Sequence, residues 1–199
     1  MSDHIDYYCS LNSPWSYLGH DRLAALAARH DKQVVIWPTD YSIVFPVTGG
    51  LPLPKRAPAR QAYRLVELRR WRDHLGIALE IQPAHWPVDE VTAASMVIAL
   101  REMGHGDAAF ALAGDFMRAV WAEQRDIANR DTMAEIAAAR GLDAQALLAE
   151  ADSGRPAALR AERSRAAIER GVFGAPTYVY RDEPFWGQDR LDFLARALA

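Results

Sequence analysis

The feature that most constrains the fold is the position of the strand patterns, which lie near the two ends of the chain with a long helical pattern between them. At the N-terminal end, residues 4–11 are rich in β-branched and aromatic types and lead into a Ser-Pro helix start. Residues 14–30 carry apolar side chains spaced three and four apart, and residues 33–37 form a second apolar run that ends at Pro38. This order predicts one β-α-β unit.

The C-terminal end returns to short strand patterns. Residues 177–180 are β-rich, residues 181–183 supply a polar turn, a strand resumes at 185–186, and residues 189–198 have the pattern of a final helix. Joined with the first unit, this β-β-α segment predicts an α/β fold that resembles thioredoxin: a four-stranded mixed sheet with helices packed against it and a large all-helical insertion.

The sequence between these two ends predicts the insertion. We expect residues 1–40 plus 171–199 to form the thioredoxin-like domain and residues 41–170 to form a loop and helical insertion domain. Four prolines and two glycines break any regular period between 41 and 58, which predicts a loop. Helical spacing then predicts helices near 58–75, 88–103, 107–124, 131–140, 143–152 and 156–170.

Composition and charge exclude several classes of function. The chain has 199 residues, 50% of them hydrophobic, and its 23 basic side chains against 26 acidic ones give a net charge of -3. Without a basic excess, nucleic acid is not an expected partner. The sequence has neither a leader pattern nor an apolar run long enough for a membrane span, so we expect no membrane association and a cytoplasmic location.

The chain has one cysteine, Cys9, within the first predicted strand. One thiol cannot form an internal disulfide or a two-cysteine redox centre, which excludes disulfide oxidoreductase chemistry. A free cysteine inside a strand usually behaves as a small buried apolar residue. The six histidines show no spacing typical of a metal site, and we expect no metal.

Ser13-Pro14-Trp15-Ser16 lies at the predicted strand-to-helix junction, where thioredoxin-like oxidoreductases carry Cys-x-x-Cys. A hydroxyl at a helix N-terminus can donate to a thiolate, and the free N–H groups and the macrodipole there favour negative charge by up to about 2 kcal/mol. The alternative is that Ser13 is only an N-cap and Pro14 the common first-turn proline.

Ala175-Pro176 stands immediately before the third predicted strand. In thioredoxin-like folds this proline is cis, and the preceding backbone N–H and C=O are free to pair with a peptide. The alternative is a trans proline that ends a helix.

Further along, Asp189 starts the last predicted helix. A carboxylate there can hold the α-amino group of a ligand or serve only as an N-cap.

Together these stretches resemble the 2-hydroxychromene-2-carboxylate isomerases, which are relatives of kappa-class glutathione transferases and of DsbA-type oxidoreductases. The resemblance runs along nearly the whole chain and is most specific in GVFGAPT at 171–177 and FWGQDRL at 185–191. It also includes Ser13-Pro14-Trp15-Ser16-Tyr17-Leu18, Tyr63 with Glu67, Arg70 and Trp71, and Trp121-Ala122-Glu123 with Asp126-Ile127.

The resemblance implies that glutathione is a catalytic cofactor. Ser13 would then be the catalytic residue that hydrogen-bonds its sulfur, Ala175 and Pro176 would dock its cysteinyl backbone, and Gln188 and Asp189 would hold its γ-glutamyl end. The implied partner is a small aromatic-carboxylate substrate, and a homodimer is an expected assembly.

Two other functions remain open on the residues alone. A kappa-like glutathione transferase would use the same thiolate but consume it by conjugating an electrophile. A non-enzymatic thioredoxin-like module would bind peptides at the proline edge without any thiol.

Elsewhere, we expect Arg69, Arg70 and Arg72 to form a solvated helix face. The alternative is that one of them attracts a substrate carboxylate.

Overall fold

The computed structural model describes residues 3–199 and contains one four-stranded mixed sheet. Its strands are β1 (His4–Cys9), β2 (Gln33–Pro38), β3 (Thr177–Tyr180) and β4 (Glu183–Trp186), in the order β2-β1-β3-β4. The pair β1–β2 is parallel, and the other two pairs are antiparallel. This confirms the predicted thioredoxin-like sheet formed from the two ends of the chain.

The strand register brings four chain segments to one edge of the sheet. Cys9 at the end of β1 lies beside Pro38 at the end of β2. Thr177 at the start of β3 pairs with Tyr8 on one side and with Trp186, the last residue of β4, on the other. The segments that follow β1, β2 and β4, and the segment that precedes β3, therefore meet at this edge.

Nine α-helices lie within residues 3–199. They are α1 (Pro14–Arg29), α2 (Tyr41–Thr48), α3 (Pro58–Leu75), α4 (Val91–Glu102), α5 (Gly106–Trp121), α6 (Arg130–Ala139), α7 (Ala144–Asp152), α8 (Arg155–Glu169) and α9 (Leu191–Leu198). All but α2 correspond to predicted helices, because their apolar spacing and their stop signals are local properties of the sequence. None of these helices is long and apolar enough to cross a membrane.

The prediction of a loop over 41–58 was wrong. Residues Tyr41–Thr48 form α2 in spite of Pro46, and a short 3-10 helix follows at Leu53–Lys55. Asp40 caps α2, since its Oδ1 accepts from the backbone N–H of Ser42 at 2.9 Å, and Val44 is fully buried. The cap and the burial of Val44 together outweigh the one backbone hydrogen bond that a proline removes.

The last helix also begins differently from the prediction. Residues Gln188–Arg190, which include Asp189, form a 3-10 turn, and α9 starts only at Leu191. Gly187 precedes this turn with φ +105°, a backbone conformation that side chains rarely adopt. Asp189 is therefore in the turn that leads into α9.

One buried cluster joins the sheet to the insertion. It includes Ile5 and Tyr7 from β1 together with Phe116 and Trp121 from α5, all of them fully buried. Such a shared core stabilises the sheet and the inserted helices together. The division into residues 1–40 plus 171–199 and residues 41–170 stays a prediction.

Candidate functional site

The N-terminus of α1 lies at the sheet edge described above, directly after β1. Ser13 is its N-cap: the Ser13 Oγ accepts from the backbone N–H of Ser16 at 3.2 Å, and Pro14 takes the first helical position. No acidic side chain stands in the first turn of the helix. Ser13 is therefore the N-cap of α1, which leaves open whether it is also a donor to a ligand, and its side chain is only half-buried.

The second serine of the motif has a different environment. Ser16 is fully buried, its Oγ accepts from the backbone N–H of Ser10, and its carbonyl accepts from the hydroxyl of Tyr7 at 3.2 Å. Ser16 is thus part of the packing between β1 and α1. Of the two serine hydroxyls, that of Ser13 is the one that solvent or a ligand can reach.

The segment before β3 faces the same edge, and its Ala175-Pro176 peptide bond is cis, as the sequence predicted. The Gly174 carbonyl accepts from the hydroxyls of Tyr41 at 3.0 Å and Thr177 at 2.6 Å, and the Pro176 carbonyl accepts from the N–H of Gly187. Among residues 3–199, nothing hydrogen-bonds the backbone N–H or C=O of Ala175, which is half-buried. Ala175 therefore offers one donor and one acceptor.

Gln188 and Asp189 follow β4 at this edge, but they differ in exposure. Gln188 is 2% exposed, and Arg22 donates to both its carbonyl oxygen, at 3.1 Å, and its Oε1. The Asp189 carboxylate is exposed and lies 3.1 Å from Arg190. A Cβ on Gly187 would come within 2.4 Å of Asp189 Oδ1, so glycine is needed there for this carboxylate to keep its position.

A buried ion pair from the insertion supports the loop that carries Ser13. Glu90 Oε2 accepts from the Ser10 hydroxyl and from the Asn12 N–H, each at 2.8 Å, and Glu90 Oε1 accepts from Arg160. Arg160 also donates to the Thr39 carbonyl at 3.1 Å, after β2. No local pattern predicts this network, because Glu90 and Arg160 are far from Ser13 along the chain.

A second support comes from the segment between α3 and α4. The Asn12 carbonyl accepts from the Trp86 indole N–H at 2.9 Å, and the Asn12 side chain pairs with the backbone of Val88 through both of its polar atoms. The Trp86-Pro87 peptide bond is also cis, which the sequence did not predict. The Trp86 side chain thus lies beside the residue that precedes Ser13.

The buried ionisable side chains near this edge do not supply a thiolate or a metal site. Cys9 is fully buried, and burial raises the pKa of its thiol far above the ordinary range, which confirms its predicted place as a small apolar residue. Burial also lowers the pKa of His20 to about 3, so His20 is a neutral core residue. Residues 3–199 contain no group of three His, Cys, Asp or Glu side chains placed to hold a metal ion.

A thioredoxin-like sheet, a serine at the start of the helix that follows β1 and a cis proline before β3 define a thioredoxin-fold protein without a redox cysteine pair. The model of the DSBA-like thioredoxin domain family matches residues 4–199. Solved structures that share this fold at lower identity include the cytosolic disulfide reductase DsbM from Pseudomonas aeruginosa with GSH, with a TM-score of 0.69 and 19% identity over 98% of each chain.

Within this class the similarity is more specific. A 2-hydroxychromene-2-carboxylate isomerase from Pseudomonas putida is 30% identical over 98% of this chain and 93% of its own length, and one from Sphingobium xenophagum is 30% identical over 98% and 97%. A solved 2-hydroxychromene-2-carboxylate isomerase superposes with a TM-score of 0.83 at 30% identity, covering 98% and 93% of the two chains. The chain belongs to the 2-hydroxychromene-2-carboxylate isomerase family of DsbA-like thioredoxin domains.

Proposed function

We propose that this protein is a glutathione-dependent isomerase that interconverts 2-hydroxychromene-2-carboxylate and trans-o-hydroxybenzylidenepyruvate. The relatives that match almost its full length carry the name of this activity. The observation that carries the proposal is the Ser13 side chain: it is a half-buried hydroxyl at the start of a helix whose first turn has no acidic side chain.

Interconversion of the two compounds requires rotation about a conjugated carbon–carbon double bond. Glutathione supplies a thiolate that adds reversibly to such a bond, so that it rotates as a single bond, and the thiol is returned unchanged. A free thiol with a pKa near 8.5 is only a few per cent ionised at about pH 7. The task of the protein is therefore to stabilise the thiolate and to hold it against the substrate.

Ser13 stabilises negative charge through the proton of its hydroxyl. Its Oγ already uses a lone pair to accept from the Ser16 N–H, and no acceptor within residues 3–199 takes its proton. The proton is therefore available to a sulfur at the start of α1, where the helix macrodipole adds to the stabilisation. The Ser13 hydroxyl can therefore cap the helix through its oxygen and donate its proton to a ligand at the same time.

The free backbone groups of Ala175 suit the cysteinyl unit of a peptide, which would pair with them as a short added strand next to Pro176. The exposed carboxylate of Asp189 suits the α-amino group at the γ-glutamyl end. Because Arg22 already binds both the side chain and the carbonyl oxygen of Gln188, Gln188 would contribute through its backbone N–H. The free donor and acceptor of Ala175 and the exposed carboxylate of Asp189 are the groups that support glutathione as the ligand.

The proposal is tested by following the absorbance of 2-hydroxychromene-2-carboxylate with the purified protein, with and without glutathione, while total free thiol is measured. Isomerisation that requires glutathione and leaves free thiol constant is the expected result. Loss of one thiol per turnover would instead indicate a transferase. Full turnover without glutathione would contradict the proposal. S-methylglutathione, which keeps the peptide but has no ionisable thiol, is the matched control and should inhibit.

A further inference from the structure

Arg64 carries a half-buried cationic side chain, and no carboxylate among residues 3–199 forms an ion pair with it. It lies in α3 on the same helix face as Leu68, Trp71 and Leu75, at spacings of four, three and four. Its guanidinium carbon is 4.6 Å from the centre of the Trp86 ring. Its Nη2 is buried, and no hydrogen-bond acceptor reaches this atom from residues 3–199.

A second donor beside Arg64 also lacks an acceptor. Trp121 is fully buried, its ring centre is 5.8 Å from the Arg64 guanidinium carbon, and its indole N–H has no partner in the described part of the chain. Buried donors without acceptors are rare, because each loses its hydrogen bonds to water on folding. The Arg64 guanidinium and the Trp121 indole N–H are two such donors, they lie near each other, and one of them is charged. A ligand group with negative charge would supply the acceptor that both of them lack.

Two arginines elsewhere in the insertion show the usual arrangement, in which the guanidinium is paired with a carboxylate. The buried Arg160 is bound to Glu90, and on α3 itself Arg70 is bound to Glu67 at 2.7 Å. For Arg64, burial and repulsion from Arg56 lower the pKa to about 10, so the guanidinium still carries its charge at neutral pH. A charge held in this way is costly to the fold, and such costs are typical of functional sites.

Trp86 connects the cation to the residue that precedes the proposed catalytic serine. The Trp86 indole over which Arg64 stacks donates to the carbonyl of Asn12, the residue before Ser13. Arg64 and Trp86 therefore combine a positive charge with an aromatic surface at the start of α1. An aromatic molecule that carries a carboxylate has the complementary features.

We propose that Arg64 binds the carboxylate of the aromatic substrate, with the Trp86 ring forming the apolar wall beside it; this assignment rests on the proposed function. Arg64 is thus a specificity-determining residue, because it selects an anionic aromatic acid over a neutral analogue. A guanidinium donates two parallel hydrogen bonds to a carboxylate, which also fixes the orientation of the substrate.

The test compares two unreactive probes of nearly equal shape, 3-phenylpropanoate and 3-phenylpropanamide, by calorimetric titration of the glutathione-loaded protein. The wild type should bind the carboxylate about 10- to 100-fold more tightly than the amide, as expected for a hydrogen-bonded charge pair. Arg64→Met should lose this preference, and Arg64→Lys should keep part of it. Arg69→Met, which removes an exposed arginine from the same helix, is the matched control and should behave as wild type.

Thermal unfolding checks that the effect is not a folding defect. Replacing an unpaired buried cation by an apolar side chain of similar length should leave the Tm of Arg64→Met equal to or above that of the wild type. If Arg64→Met keeps the preference for the carboxylate, or if the wild type binds neither probe at millimolar concentration, the proposal is overturned.

The two proposals fail in distinguishable ways. If the wild type prefers the carboxylate through Arg64 but does not isomerise the chromene carboxylate, the proposed activity is wrong and the anion site stands. If the wild type isomerises it and Arg64→Met does so with unchanged KM, the activity stands and the assignment of Arg64 is wrong. The expected result is a KM raised about 10-fold or more in Arg64→Met, with a smaller change in kcat.

Discussion

Replacement of Ser13 by alanine should have two separate effects, because one hydroxyl has two tasks. Its oxygen caps α1 through the 3.2 Å hydrogen bond from Ser16, and loss of a serine N-cap costs about 1 kcal/mol of stability. Its proton is proposed to stabilise the bound thiolate. A hydrogen bond to a charged group contributes roughly 1.5 to 3 kcal/mol, so the pKa of the bound glutathione thiol should rise by about one to two units in Ser13→Ala.

Three further substitutions at Ser13 separate the cap from the donor. Ser13→Gly removes the hydroxyl but costs the helix only a few tenths of a kcal/mol, so it should raise the thiol pKa with little change in Tm. Ser13→Asp keeps an acceptor for the Ser16 N–H but has no proton to donate and adds a negative charge, so it should raise the thiol pKa furthest. Ser13→Thr keeps both tasks and is the matched control.

The assay is an ultraviolet titration of the thiolate in each glutathione complex, together with the turnover of each variant at fixed pH. In the variants without the hydroxyl, turnover near neutral pH should fall by about 10- to 100-fold and recover in part as pH rises, because more thiol then ionises. Coincident titrations for wild type and Ser13→Ala would refute the proposed donor and leave Ser13 as a helix cap alone.

The remaining predictions concern buried groups around the site. Cys9→Ala should retain glutathione-dependent turnover, because the thiol is fully buried with a raised pKa; loss of turnover in the folded variant would contradict the serine mechanism. His20 should destabilise the fold in acid: its pKa is about 3 when folded and about 6.5 when unfolded, so below pH 6.5 the unfolded chain takes up the proton first. About 2 kcal/mol of stability should be lost between pH 7 and pH 5, and His20→Gln should lose less over the same range in chemical denaturation. Glu90→Gln leaves Arg160 buried without a counter-ion, which should cost about 3 to 5 kcal/mol, or roughly 6 to 20 °C in Tm. Adding Arg160→Met to Glu90→Gln should recover part of that loss in calorimetry, and no recovery would show that the pair acts mainly through other contacts.

Much of the fold could be predicted because its signals are local. The strand at 177–180, the helix over Pro58–Leu75 and the capped start of α1 each follow from side-chain spacing and cap chemistry within a few residues. The pairing of the two chain ends into one sheet followed from the order of these elements. In contrast, α2 was missed, because Pro46 and the prolines and glycines that follow it up to residue 58 predict a loop, while burial of Val44 is a tertiary effect.

The sequence by itself determined that the chain has a single cysteine, that a serine stands at the start of α1 and that a proline precedes β3. It did not distinguish the arginines of α3, since Arg64, Arg69 and Arg70 look alike in a helix rich in them. Only the tertiary structure buries Arg64 against two indoles and leaves Arg69 exposed. The physical reason is that a charge acquires its function from desolvation and from neighbours distant in the chain, neither of which a local pattern encodes.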